Sequence, residues 1–386
     1  MFNFLYNNKV RAILFQIVAV LIVAYVAYHG ISNLTFNIDR LGIRTGFGFL
    51  DLEAGFDIAE YLIAYSPSST NLTAFYVGLI NTLVVSAVGI VLASILGLII
   101  GIARLSNNWL IAKLANAYIE LFRNIPILLQ ILFWYNIALI SLPSTRNSYE
   151  FFDVIFLNLR GIYFPSPIFE LGFSLVIAAF VIGVALSFFI RRHFNKLHDE
   201  TGIERTSFYY HLLVLIAFPL IVFFVAGSPM SFVYPELQGF NFDGGLSFSP
   251  EFLALAFALS IYTATYIAEA IRAGIESVNK GQKEAALAMG LTQAQTLKLV
   301  LLPQALRVAI PPIINQYLNL TKNSSLAAAI GYADLVAVFS GTVLNQVGQA
   351  IEIILMTMAV YLTISLVISF FLNIVNYRMR IVGLNE

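Results

Sequence analysis

The chain has 386 residues, of which 59% are hydrophobic and 11% are charged, and its mean hydropathy is +0.85. A soluble globular domain carries about 25% charged residues, so this composition excludes a soluble protein and indicates an integral membrane protein. The net charge is zero and identifies no class of partner, and no nucleic-acid partner is expected. The chain has no cysteine, and its four histidines lack ligand spacing, so disulfides and a metal site are not expected.

The apolar residues form long uncharged runs of about 20 residues, the length at which an α-helix crosses a bilayer. No alternating segments of about ten residues indicate a membrane β-barrel, so we expect an all-α polytopic membrane protein. The first span follows Lys9 and Arg11 as a signal peptide would, but no small-residue cleavage motif follows it, and we interpret it as a retained helix. The eight predicted spans are residues 12–30, 76–103, 124–142, 171–190, 209–227, 250–271, 304–321 and 350–373.

Two further segments are ambiguous. Residues 109–123 carry apolar side chains at helical spacing, which is typical of an interfacial helix or of the polar end of the third span. Residues 326–344 are long enough to cross the bilayer but include Gly331, Asp334 and Gly341. We interpret this second segment as broken or re-entrant and buried in protein.

The placement of basic residues sets the orientation, because Lys and Arg gather on cytoplasmic loops. With eight spans and an internal N-terminus, 16 of the 21 Lys and Arg residues lie in cytoplasmic segments. The five on the opposite side are Arg40, Arg44, Arg146, Arg160 and Lys322. A ninth crossing would place Arg378 and Arg380 outside, so we predict eight spans, both termini in the cytoplasm, and an outer loop from about 31 to 75.

The cytoplasmic loop between the sixth and seventh spans has the pattern of two short helices joined by a turn. Asn279 stands at an N-cap, three residues before Gln282, and the helix-forming stretch that follows ends at Gly290, the residue suited to a left-handed cap. Thr292 and Gln295 form a capping box for the second helix, which we expect to continue to the proline at 303, where the next span begins. A loop with the small residues Ala285, Ala286 and Ala288 on one face is suited to docking against another protein.

The same loop resembles the coupling loop of ABC importer permeases. That signature is Glu-Ala-Ala, three residues, Gly, nine residues, a β-branched residue, one residue, and Leu-Pro; Val300 stands where the family usually has Ile. The flanking stretches "FRNIPILLQ" and "NLTKNSSLAAAIG" are similar to the polar amino acid branch, and the chain length is similar to permeases of general L-amino acid importers. The resemblance implies that the residues coupled to the ATPase are Gln282, Glu284, Ala285, Ala286, Gly290, Leu302 and Pro303.

The resemblance also implies an organisation and partners. We expect a five-helix core of the type I importer kind, built from residues 76–142 and 250–386 with the coupling loop at 276–303. Residues 1–75 would add a helix and an outer loop, and residues 143–249 an insertion with two spans. An ATPase dimer would bind ATP and Mg, since no phosphate-cradling G-x-x-x-x-G-K-[ST] motif occurs here and no cofactor is expected in this chain. A second related permease, a periplasmic amino acid-binding protein and the bacterial inner membrane complete the predicted surroundings.

Three other interpretations stay open from the residues alone. The alanine-rich helical loop could serve only to keep a cytoplasmic segment soluble, with no role in docking. A secondary amino acid transporter would also place polar residues and broken helices in the membrane, but it predicts inverted repeats, and the two halves show no convincing similarity. A membrane enzyme would need acidic or histidine clusters in facing helices, whereas the acidic residues here crowd into loops such as "DLEAGFDIAE".

Polar residues within two spans predict the solute site, because such side chains usually face a bundle interior or an aqueous path. Glu269 is expected to hold the ammonium of a free amino acid, and Lys322 with nearby hydroxyls and amides to meet its carboxylate. The alternatives are bonding between helices, an ion pair of Glu269 with Arg272 or Arg123, and snorkelling of Lys322 to the interface. The predicted substrate-binding residues are Thr263, Tyr266, Glu269, Asn315, Asn319, Lys322, Ser324 and Ser325.

Overall fold

The computed structural model describes residues 8–42, 44–202 and 206–378. Arg205, Arg380 and both chain ends, which enter the predicted charge pattern, lie outside the described residues. The chain divides into two compact units: unit 1 falls within residues 1–135 and 254–386, and unit 2 within residues 136–253. The insertion predicted from the sequence, residues 143–249, falls inside the range of unit 2.

Helices long and apolar enough to cross a membrane number seven in the described part of the chain, or eight if one bent pair counts as a single span. Most extend beyond the predicted spans, because a helix continues past the apolar run until a cap or a proline ends it. The largest extensions are in α1 and α5, which each run eleven residues past their predicted ends at residues 30 and 190. Each predicted span lies in one of these helices or is shared by two of them: α1 (Asn8–Leu41), α2 (Asn71–Arg104), α3 (Trp109–Asn124), α4 (Ile127–Ser141), α5 (Phe173–Thr201), α6 (Phe208–Leu212), α7 (Phe218–Val225), α8 (Pro250–Glu276), α11 (Leu302–Asn323) and α13 (Ala350–Arg378).

The third predicted span is bent. Helices α3 and α4 meet at 104° across Ile125 and Pro126, where proline removes a backbone donor. The amide nitrogen of Gln130 donates to the freed carbonyl oxygens of Phe122, at 2.8 Å, and Ile125, at 2.9 Å, which stabilises the bend. Helix α4 alone has 15 residues and is about 22 Å long, shorter than the bilayer core.

The segment predicted to be broken is broken. A 3-10 segment at Ser324–Ile330 ends at Gly331, which has φ +79°, and a π-helical segment at Val336–Val343 leads into the short helix α12 (Leu344–Val347). Gly348, with φ +72°, separates α12 from α13. The apolar helical stretch from 336 to 347 is too short to span a bilayer by itself.

We call residues 44–82 and 327–361 of unit 1 the outer end, because they include most of the loop that the charge pattern predicts to lie outside the membrane. The backbone of residues 52–54 pairs with that of residues 69–71, and the Asn71 amide nitrogen donates to the Phe49 carbonyl at 2.9 Å. Phe49 and Phe75 pack with Leu335, Phe339, Val343 and Ile353 in a buried cluster. The loop before α2 is therefore an ordered part of unit 1.

Unit 2 combines a helical hairpin with short strands. The sequence predicts the two helical spans but not the strands. Helix α5 packs on α7 and on the π-helical segment Leu213–Ala217, and Gly183 allows that approach because a Cβ atom there would lie 2.1 Å from the Val214 carbonyl oxygen. Strands β1 (Tyr149–Phe151), β2 (Ile155–Asn158), β3 (Gly161–Phe164) and β8 (Leu246–Phe248) form an antiparallel sheet in that order. Two hairpins pair β4 (Ser166–Phe169) with β5 (Met230–Val233), and β6 (Glu236–Gln238) with β7 (Asn241–Asp243).

Candidate coupling loop and solute pathway

The first helix of the predicted coupling loop is α9 (Lys280–Ala288). Its N-cap is Asn279, as predicted, and the Asn279 side-chain oxygen accepts from the Gly281 nitrogen at 2.9 Å. The cap satisfies one of the free backbone donors at the start of the helix. Glu284 lies more than a turn beyond this cap and is exposed, so the structure gives the capping role to Asn279 and leaves the Glu284 carboxylate facing solvent.

Gly290 ends this helix in the left-handed conformation that the sequence predicts, with φ +82°. The Leu291 nitrogen donates to the Ala286 carbonyl at 3.2 Å, and the Gly290 nitrogen donates to the Leu287 carbonyl at 3.0 Å. These two bonds are the Schellman pattern, which closes a helix and reverses the chain. A Cβ atom at Gly290 would meet nothing within 4 Å, so the backbone angle alone requires glycine here.

The capping box of the second helix is confirmed, but the end predicted for that helix is not. Thr292 caps α10 (Gln293–Thr296), and the Gln295 side-chain oxygen accepts from the Thr292 nitrogen at 2.9 Å. The chain then passes through a π-helical segment at Leu297–Leu301 directly into α11, without a break at Pro303. Pro303 is the second residue of α11 and directly follows the π-helical segment.

The predicted coupling residues differ in exposure. Gln282, Glu284, Ala285, Gly290, Leu302 and Pro303 are exposed. Ala286 is 1% exposed, in a loop where α9 packs on α10 and on the π-helical segment. The small-residue face is therefore divided: Ala286 lies against its own chain, and Ala285 and Ala288 stay accessible.

Helix α8 carries the first group of predicted solute residues, and their environments differ. Thr263 is buried at 2% exposure. Tyr266 is half-buried: its hydroxyl lies 2.9 Å from the Tyr262 hydroxyl, and the Arg123 guanidinium lies 5.4 Å from the centre of its ring. Arg123 therefore contacts Tyr266 by a cation–π interaction rather than pairing with Glu269.

Glu269 has both carboxylate oxygens occupied by guanidinium groups. Its Oε1 accepts from Arg272 Nη2 at 2.6 Å, and its Oε2 pairs with Arg104 of α2. Arg272 also pairs with Glu276, one turn further along α8. In this conformation the Glu269 carboxylate is not open to a substrate ammonium, and the ion-pair alternative with Arg272 is the geometry observed.

The second group lies on and after α11. Asn315, Asn319 and Lys322 are exposed on one face of the helix at spacings of four and three residues. Ser324 is fully buried and donates to the Thr321 carbonyl at 2.7 Å, and Ser325 donates to the Lys322 carbonyl at 2.7 Å. Among the described residues, no hydrogen bond joins the α8 group to the α11 group. The predicted residues of α11 therefore form an open polar face, whereas Tyr266 and Glu269 of α8 are already in contact with other side chains of this chain.

Sequence reasoning missed three residues that shape this region. Arg104 pairs with Glu269 from 165 positions away, and no local pattern predicts that contact. Gly97 and Gly101 form a G-x-x-x-G pattern on α2, a signal of close helix packing that was available in the sequence. Both glycines face α8.

Residues 208–381 match the family described as binding-protein-dependent transport system inner membrane component. The putative amino-acid ABC transporter permease protein YhdX of Escherichia coli (strain K12) is 52% identical over 377 residues, which is 97% of this chain and 96% of that protein. The general L-amino acid transport system permease protein AapQ of Rhizobium johnstonii is 47% identical, covering 98% of this chain and 94% of that protein.

A third relative has a more specific name. The glutamate/glutamine/aspartate/asparagine transport system permease protein BztB of Rhodobacter capsulatus is 39% identical over 98% of this chain and 95% of that protein. The similarity to all three relatives extends over nearly the full chain and so includes unit 2.

Proposed function

Because this chain belongs to the binding-protein-dependent inner membrane components, as an ABC transporter permease, we propose that it forms one half of an ATP-driven import pathway for amino acids. The names of the three full-length relatives support amino acids as the substrate class, and the name of AapQ supports a broad range of L-amino acids. The observation that carries the proposal is the coupling loop, where an exposed helix is closed by an Asn279 cap and a Schellman turn at Gly290.

The exposed side of α9 is the surface that we propose for the ATPase subunits. Gln282, Glu284 and Ala285 are accessible there, and α9 lies between the ends of α8 and α11 in the chain. Closure of the ATPase dimer would displace α9, and the displacement would reach both helices. ATP and Mg would be bound by the ATPase subunits, and this chain would supply motion rather than hydrolysis.

The open face of α11 is the surface that we propose for the solute pathway. Asn315, Asn319 and Lys322 are exposed in the single chain, and a second permease subunit placed opposite would enclose them. A related but different chain is the partner we propose, giving a heterodimer, with a periplasmic binding protein delivering the amino acid. The Lys322 ammonium would attract the substrate carboxylate, and the two amides would donate hydrogen bonds to it.

The ammonium of the substrate needs an acceptor. Glu269 keeps that predicted role only if one of its guanidinium partners, Arg104 or Arg272, releases it during the transport cycle.

Uptake by the complete assembly tests the proposed function. The chain would be purified with its co-encoded ATPase, second permease and binding protein, and placed in proteoliposomes with labelled amino acids. We expect uptake that requires ATP and the binding protein and that persists when ion gradients are collapsed. Uptake that follows an ion gradient and ignores ATP would assign the chain to secondary transport instead.

The membrane orientation is part of the proposal. Both termini and the coupling loop would face the cytoplasm, and the loop around Asp57 would face outside. Since the chain has no cysteine, single cysteines can be introduced at Asp57 and Lys280 and labelled with a membrane-impermeant thiol reagent in intact cells. We expect labelling at 57 and none at 280, and the reverse pattern would contradict the orientation.

A further inference from the structure

Helix α2 packs on α8 through its glycines. A Cβ atom added at Gly97 would lie 2.5 Å from Ile267 Cγ2, and one added at Gly101 would lie 3.1 Å from the Ala268 carbonyl oxygen. These glycines are four residues apart, so they line one face of α2 and let the two backbones approach closely. The contact continues at Gly89, whose carbonyl accepts from Ser260 Oγ at 3.3 Å. The two helices therefore meet along several turns.

Helix α8 makes an equally close contact with α11 next to the coupling loop. A Cβ atom at Gly274 would lie 2.6 Å from the Ala305 carbonyl oxygen and 2.8 Å from Ala309 Cβ. Residues 277–301 connect these two helices. The two attachment points of the coupling loop are therefore already packed against each other, and a displacement of the loop moves them together.

Between α2 and α11, at this same end, lies a cavity of about 700 Å³. Its lining includes Ile267, Ile271 and Ile275 of α8. Ser94 of α2 and Tyr317 of α11 also line it, and the Ser94 Oγ lies 2.8 Å from the Tyr317 hydroxyl. Helix α8 is thus the element against which both neighbours pack near the coupling loop. We call the ends of these three helices, residues 97–104, 264–276 and 302–309, the coupling end.

An ion-pair group joins α2 to α8 at the last turn of the coupling end. Arg104, the final residue of α2, pairs with Glu269, which Arg272 also binds. The side chains of these three residues are 23–27% exposed, so water screens the group only in part. Arg104 belongs to α2, and Glu269 belongs to α8. Sliding of α2 along α8 would therefore separate Arg104 from Glu269.

We propose that Gly97, Gly101 and the Arg104–Glu269 pair are positioning residues that make α2 move with α8 and α11 as one body. Motion of the coupling loop then reaches α2, which does not adjoin the loop in the chain, through α8. Close-packed helices cannot slide over each other without losing contacts, so the glycine contact transmits displacement rather than absorbing it. This inference rests on the proposed function, because it assigns a path to the motion that ATPase closure would start.

A reversible cross-link tests the inference. The chain has no cysteine, so the double variant Gly101→Cys with Ile271→Cys gives a single defined disulfide. A Cβ atom at Gly101 lies 3.1 Å from Ile271 Cβ, slightly closer than disulfide geometry requires, and replacing isoleucine by cysteine makes room. In the complete assembly we expect oxidation to form the cross-link and ATP-dependent uptake to stay within about twofold of the reduced protein. Loss of uptake on oxidation that reduction restores, or failure of the pair to cross-link, overturns the inference.

The reduced protein separates this inference from the proposed function. If the wild-type assembly shows no ATP-dependent uptake, the proposed function fails. If the wild type transports and the reduced double variant does not, a second variant decides.

Glu269→Gln is that variant, because it removes the charge without adding volume. We expect the amino acid taken up per ATP hydrolysed to fall at least fivefold, with an unchanged KM for uptake. Unchanged uptake per ATP overturns the inference, and a raised KM at unchanged uptake per ATP would place Glu269 in the solute site instead.

A pair of glycine variants tests the effect of added volume. Gly101→Val adds volume where α2 meets α8, whereas a Cβ atom at Gly30, on α1, meets nothing within 4 Å. We therefore expect Gly101→Val to lower uptake per ATP and the control Gly30→Val to leave it unchanged.

Discussion

The outer end and the coupling loop of unit 1 are held by different kinds of interaction. At the outer end, the Asn81 amide nitrogen donates to the carbonyls of Glu60, at 2.8 Å, and Ala333, at 2.9 Å, and the Thr82 hydroxyl oxygen accepts from the Leu335 nitrogen. The bonds to Ala333 and Leu335 join segments about 250 positions apart in the chain. In the coupling loop, the hydrogen bonds run between near neighbours, and most of the residues are exposed.

This difference separates a fixed region from one that can move. Asp334 is fully buried and accepts from the Ala337 nitrogen at 2.9 Å, so the broken segment is tied both to α2 and to its own next turn. Buried hydrogen bonds are costly to leave unmade, and moving such a region would break several of them at once. Capped short helices, by contrast, can shift as units with their bonds intact, which suits a loop that docks against a moving partner.

The largest effect is expected at the outer end, from Asn81→Leu. The substitution leaves the carbonyls of Glu60 and Ala333 without their donor, so we expect a loss of about 2–4 kcal/mol in the free energy of unfolding. Thermal unfolding of the purified protein in detergent would measure it. An unchanged unfolding temperature would show that the outer end is not the fixed region.

Asn319→Leu is the matched control, and its unfolding temperature is compared with that of Asn81→Leu. Asn319 is exposed on α11, so the substitution should leave the unfolding temperature unchanged while it lowers ATP-dependent uptake. If both variants lost the same stability, Asn81 and Asn319 would not differ in what they contribute to the fold. Full uptake in Asn319→Leu would move the solute path away from this face.

Much of the coupling loop could be predicted because its structure is local. Caps, turns and the left-handed glycine depend on residues within five positions of each other, and Asn279, Gly290 and Thr292 lie where the pattern predicts. The π-helical segment at Leu297–Leu301 was not predicted, since the sequence there is that of an ordinary amphipathic helix. The sequence predicts that a new helix begins at Pro303, whereas the chain continues from the π-helical segment into α11 without a break.

The long-range contacts could not be predicted from one sequence. The eight spans follow from length and hydropathy, but the partners of Glu269 and Asn81 depend on how the helices pack. The sequence predicts Tyr266 and Glu269 for the solute site without showing that Arg104 would pair with the Glu269 carboxylate. The short strands of unit 2 were missed because runs of three or four residues give little alternation to detect.

A smaller effect is expected from Gly290→Val, in the coupling loop. Valine at φ +82° costs about 1–2 kcal/mol. A Cβ atom at this position meets nothing within 4 Å, so we assign the cost to the backbone angle of the turn. We expect normal membrane insertion with reduced uptake and reduced stimulation of the ATPase. Gly290→Asn is the control, because asparagine tolerates the left-handed region better, and it should retain more activity than the valine variant. Equal activity in the two variants would show that the turn geometry does not matter.

Removing a cap should have a still smaller effect. Thr292→Ala deletes the side chain that accepts from the Gln295 nitrogen, at a typical cost of about 1 kcal/mol to the helix start. Because α10 continues into α11, fraying should stay within the first turn, and amide hydrogen exchange there should become faster while exchange in α11 is unchanged. Faster exchange through α11 would mean that the loop and the span unfold together, contrary to the contrast drawn above.

The smallest effect on stability, and the most direct test of docking, is expected from Glu284→Arg. Glu284 is exposed, and exposed charges contribute about 0–1 kcal/mol, so the unfolding temperature should not change. If the carboxylate faces a basic surface of the ATPase subunit, reversing its charge should weaken copurification of the ATPase and lower uptake, and the defect should diminish at high salt because screening reduces repulsion. Lys280→Glu makes the opposite change of net charge on the same helix, so it should leave recovery of the ATPase unimpaired if the facing surface is basic. Full uptake and full ATPase recovery in Glu284→Arg, together with full activity in Gly290→Val, would refute the docking role of α9.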